Sequence, residues 1–212
     1  MCAMLADTPE DETEEPLFDP AWSRPANSYG TFRRGKDTEA IDKRLEERGF
    51  AEDALSGGGF EFSALRSCEV DPPDCEAIVD GTFTGIEVTE LVEGTTLAQA
   101  REALRRSTSD VLPRLHLREY REWTREDFLA EVQALIKKKN LGNWKGGAYQ
   151  RHMLVIHTDE MTLGPGQVKR FLDGEQFAFG FFSDVVVVLS YDPHTQTPPA
   201  FRLVSNRAQR PI

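Results

Sequence analysis

Pro72-Pro73-Asp74-Cys75-Glu76-Ala77-Ile78-Val79-Asp80-Gly81-Thr82-Phe83-Thr84-Gly85-Ile86-Glu87-Val88-Thr89-Glu90-Leu91 is the stretch that decides the fold. Asp80-Gly81 is a two-residue hairpin turn, because both central positions must accept positive φ and this pair does so cheaply. The arms on either side are short and β-rich. Asp74 therefore opens one strand, and Glu87 sits well along its partner. Carboxylates on adjacent strands suit a hard divalent cation, since Mg²⁺ takes oxygen ligands in a tight octahedron and keeps several waters. Thr89, two residues past Glu87, shares its sheet face.

Outward from the hairpin, the pattern alternates helix and strand. Thr38 to about Phe50 reads as a helix, with Ile41 and Leu45 on one face and a stop near Gly49. Gly57-Gly58-Gly59 makes a loop before a strand over Phe60 to Leu65. No Gly-Lys-Ser/Thr follows those glycines, so they do not cradle phosphate. Thr96 with Gln99 opens a helix running to about Ser107. Thr124 and Asp127 cap a better-marked helix, which Trp123 and Phe128 staple. Its apolar stripe is Phe128, Leu129, Val132, Leu135 and Ile136, and it ends near Asn140-Leu141-Gly142. Strands follow at His152 to His157 and Asp184 to Ser190. Gly164-Pro165-Gly166 and a short helix through Leu172 separate them, and Phe201 to Val204 closes the series. The expectation is one α/β domain over residues 28–212, a central mixed β-sheet flanked by helices. Residues 1–27, acidic and interrupted by four prolines, read as a flexible tail.

Composition narrows the function. Within 212 residues no apolar run approaches the roughly 20 that a membrane helix needs. The N-terminus lacks the basic and apolar regions of a signal peptide. Three cysteines (Cys2, Cys68, Cys75) form neither a disulfide framework nor a zinc cluster, so a cytoplasmic location is expected. His157 and His194 lack zinc-site spacing, no Gly-x-Ser-x-Gly occurs, and Cys75 has no evident activating base. The net charge of −11 opposes general attraction to phosphate. Its distribution is uneven, however. Residues 1–20 hold 7 acids and no base, whereas residues 101–151 hold 12 bases against 7 acids. A basic block thus follows the acidic hairpin.

Pro73-Asp74, a hairpin, and then Glu87-Val88-Thr89 resembles the motif of the PD-(D/E)xK nuclease superfamily, the restriction-endonuclease-like fold. The element order over residues 38–204 is similar to that core. The resemblance implies Mg²⁺ (or Mn²⁺)-dependent phosphodiester hydrolysis of nucleic acid, with DNA favoured over RNA. Asp74, Glu87 and the Val88 carbonyl would hold the metal. The family's lysine falls at Thr89, whose hydroxyl can orient water but carries no charge. Other members place the lysine on the following helix, which here ends Lys137-Lys138-Lys139. At about 100° per residue, Lys139 lies within the Phe128–Ile136 stripe while Lys137 points away. All three also complement a helix C-terminus. Glu39 or Glu46 on the first helix would be an added carboxylate, and His152 a phosphate contact or simply a structural histidine. Glu76 and Glu90 are expected at the surface. The alternative is a nuclease-like fold without catalysis, a binding module whose acidic tail meets a basic protein partner.

Overall fold

Asp80 and Gly81 adopt φ of 48° and 76°, joining β2 (Cys75–Val79) to β3 (Thr82–Glu90) with Val79 opposite Thr82. The computed structural model describes residues 36–92, 122–142, 144, 147–160, 162–190 and 197–206. The remaining elements are α1 (Lys36–Gly57), β1 (Phe62–Ser67), α2 (Arg125–Asn140), β4 (Arg151–Thr158), α3 (Pro165–Leu172), β5 (Asp184–Leu189) and β6 (Ala200–Arg202). The six strands pair in sequence order into one mixed sheet. β3, β4 and β5 run parallel, and antiparallel strands flank them on both sides. This is an α/β fold, as the alternation of elements required.

Period-two alternation assigns the faces. Ile86 and Val88, Met153 and Val155, and Val186 and Val188 pack with Ala51, Ala54 and Leu55 of α1. Leu154 and Ile156, with Val185, Val187 and Leu189, pack with Phe128, Val132, Leu135 and Ile136 of α2 and Val168 of α3. Lying between Ile86 and Val88, Glu87 is directed to the α2 side. The start of α2 is built as its sequence proposes. Thr124 Oγ1 accepts from the Asp127 N–H at 3.1 Å, and the Trp123 and Phe128 rings meet at 6.3 Å.

Three boundaries differ from expectation. α1 runs through Gly49 to Gly57, because Ala51, Ala54 and Leu55 are fully buried against the sheet. That packing outweighs the roughly 1 kcal/mol a helical glycine costs. β1 starts at Phe62, since Phe60 turns into the α1-side core, and Ala64 at φ 54° interrupts its register with β2. β6 is displaced towards Ala200 and is shorter than expected. The helix expected over Thr96 to Ser107 and the tail over 1–27 lie outside the described residues. Among the described residues, no helix is long and apolar enough to cross a membrane.

Candidate metal centre

β2 pairs with β3 only as far as Cys75 opposite Ile86, so the next stretch of β3 lacks a strand neighbour on that edge. Asp74 takes the place of that neighbour. Its Oδ2 accepts from the Val88 N–H at 2.8 Å. An extended residue sends its N–H and C=O to the same side, so the Val88 carbonyl faces the edge that carries Asp74. The loop before Asp74 contributes Asp71. Carboxylate oxygens of Asp71, Asp74 and Glu87 all lie within 4.8 Å of one another. Opposite ligands of an octahedral Mg²⁺ stand roughly 4 Å apart, so this donor set fits a hard cation with small side-chain adjustment.

Lys139 enters from the last turn of α2. Its Nζ donates to Glu87 Oε1 at 2.6 Å. Asn140 fixes that turn in place. Its Nδ2 donates to the Ile136 and Phe179 carbonyls at 2.8 and 3.0 Å, and its Oδ1 accepts from the Phe181 N–H at 2.8 Å. Gly180 at φ 66° makes this clamp possible, since a Cβ there would lie 1.9 Å from Asn140 Oδ1.

The electrostatics leave a site short of positive charge. Glu87 is 6% exposed, and its Oε2 is buried without a hydrogen-bond partner. Burial first, then the charge of Asp74, push its carboxyl up from 4.5 to about 7, although Lys139 pulls the other way. Burial also raises Asp74, and the Val88 N–H opposes that shift. A buried acceptor with no donor costs free energy that a cation would recover. On the α1 side Lys43 binds Glu47 at 2.9 Å, and the charge of Asp74 raises the Glu47 carboxyl beyond what burial does.

A cleft of about 340 Å³ opens over this group, lined by Asp71, Pro72, Glu87, Lys138, Lys139 and Trp144. Gly85, two residues before Glu87 on the same face, packs against Trp144. A Cβ there would lie 2.7 Å from Trp144 Cζ3 and 2.9 Å from Tyr149 Cδ2, so both rings press on bare backbone.

Asp74, Glu87 and Lys139 are thus brought together, with the Val88 backbone among them. Thr89 sits two residues beyond Glu87 and opposite Ile156, half-buried. From α1, the Glu47 carboxyl feels the charge of Asp74. Asp71 escaped the sequence reading, although an acid separated from Asp74 only by Pro72-Pro73 was a usable clue. Lys137 is exposed, while Lys138 reaches the cleft rather than merely capping the helix. Two surface assignments need correction. Glu76 is half-buried because it accepts from Tyr149 Oη at 2.8 Å and Arg66 Nε at 2.6 Å. Glu90 is half-buried at the end of β3. His152 stands edge-on to Trp144 and Phe181, at 4.7 and 5.3 Å, and burial lowers its pKa. Compared with family models, curated proteins and solved structures, the chain matches none.

Proposed function

We propose that this protein hydrolyses phosphodiester bonds in nucleic acid, with Mg²⁺ or Mn²⁺, on a restriction-endonuclease-like core. DNA is the favoured substrate over RNA. The observation that carries this reading is Lys139 reaching Glu87 from α2 while Asp71 and Asp74 converge on the same strand edge. That lysine brings the positive charge which Thr89 cannot.

Asp71, Asp74 and Glu87 would hold the cation, with the Val88 carbonyl beside them. The bound cation supplies an activated water and offsets charge on the phosphate. Lys139 donates towards the region where phosphate charge builds, in a partly buried setting that strengthens such a contact. Lys138 at the cleft draws the backbone in. Thr89 has the smaller role of orienting water. The binding-module alternative draws on the threonine at position 89 and on the overall acidity, and Lys139 beside Glu87 supports the catalytic reading over it.

The test is a cleavage assay on labelled single-stranded and duplex DNA and RNA with Mg²⁺ or Mn²⁺. Wild type should cut, and chelation or Glu87→Gln should abolish cutting while circular dichroism stays unchanged. Undiminished cleavage by a folded Glu87→Gln protein overturns the assignment.

A further inference from the structure

Trp144 lines the same cleft as Glu87 and Lys139, and the surrounding residues hold its indole firmly. Tyr149, His152, Phe181 and Phe182 meet it edge to face, at 6.2, 4.7, 5.4 and 6.1 Å and at interplanar angles of 67° to 85°. Gly85 supplies the backbone it lies on. Two residues along a strand is roughly 7 Å, so Gly85, on which the indole lies, is about that far from Glu87 on the same sheet face. Phe181, 37% exposed, extends the aromatic surface outward.

We propose that Trp144 is a stacking platform for an unpaired base next to the scissile phosphate, which makes the substrate a single strand. This rests on the phosphodiesterase reading and names its substrate class. Every base has a π-face, so such a platform tolerates any sequence. A base inside a duplex is already stacked and must be extruded before it can use the platform. The charge of −11 points the same way, because tracking two phosphate backbones requires many more neutralising contacts than seating one nucleotide.

The experiment measures binding by fluorescence anisotropy with Ca²⁺ in place of Mg²⁺, and cleavage separately with Mn²⁺. The probes are labelled oligothymidylate, the same strand with its bases replaced by abasic residues, and a duplex of equal length. Wild type should bind oligothymidylate roughly tenfold or more tighter than either other probe. Trp144→Ala should erase that difference and Trp144→Phe should keep most of it. Equal binding of the abasic strand by wild type, or tighter binding of the duplex, overturns the platform without recourse to any variant. Base-dependent binding without metal-dependent cleavage overturns the phosphodiesterase reading and leaves the platform standing. Metal-dependent cleavage indifferent to the bases does the reverse.

Discussion

Lys139 Nζ and Glu87 Oε1 stand 2.6 Å apart, tying the last turn of α2 to the middle of β3. The pair joins the acidic edge to a cation that arrives from a different element. Its removal should therefore cost function more than fold. Lys139→Ala is expected to slow single-turnover cleavage roughly 10²- to 10³-fold, the usual cost of losing one positioned donor to a developing charge. Adding Thr89→Lys to that variant should recover at least about tenfold of the loss, since position 89 shares the face of Glu87. Cleavage by Lys139→Ala at the wild-type rate would remove Lys139 from the mechanism.

Glu87 gives the metal-free protein a pH signature. Its carboxyl sits at about 7 in the fold against 4.5 when free. Between those values the folded chain keeps a proton that the unfolded chain has released. Stability from this group is therefore complete below about pH 4.5 and lost as pH rises through about 7. The displacement corresponds to roughly 3 kcal/mol. Thermal unfolding in chelator from about pH 5 to about pH 8 should show this decline in wild type and a flatter profile in Glu87→Gln. Identical slopes in the two proteins would contradict the burial argument.

His157 acts in the opposite direction. It stacks on Phe50 at 3.8 Å with planes 5° apart, and burial lowers its pKa from 6.5 to about 4. Below about pH 6.5 the unfolded chain takes up a proton that the fold refuses. Stability from this site is thus full above about 6.5 and lost as pH falls towards 4. His157→Phe keeps the ring stack and removes the titration, and the buried Nδ1 has no hydrogen bond to forfeit. Urea unfolding near pH 5 should find this variant more stable relative to wild type than near pH 7.5. An unchanged difference between the two pH values would count against it.

Gly85→Ala probes the seat of Trp144. The new methyl would fall 2.7 Å from Trp144 Cζ3, and ring and strand are both constrained there. Overpacking of this kind costs about 1–3 kcal/mol. Denaturant melts should show that loss together with altered tryptophan fluorescence. A variant as stable as wild type, with the same emission, would mean that Trp144 does not rest on Gly85.

What could be read in the sequence was local. Asp80-Gly81 fixes its turn through backbone sterics, and Thr124 with Asp127 fixes a helix start through one hydrogen bond. Once those were placed, the helical angle brought Lys139 onto the buried side of α2, and the structure carries it to Glu87. The illegible parts depend on distant packing. Gly49 looks like a helix stop until Ala51, Ala54 and Leu55 are seen against the sheet. Asp71 joins the site through the path of its loop, and Trp144 through the fit of a ring onto Gly85, 59 residues away in sequence. No periodicity encodes either contact.

The most direct measurement is Mn²⁺ and Mg²⁺ binding by titration calorimetry at about pH 8, where Glu87 is ionised, on wild type and on Asp74→Ala/Glu87→Ala. The metal-centre account predicts saturable binding by wild type and its loss in a double variant whose circular dichroism matches wild type. Absence of binding by wild type, or equal binding by the folded double variant, would contradict it.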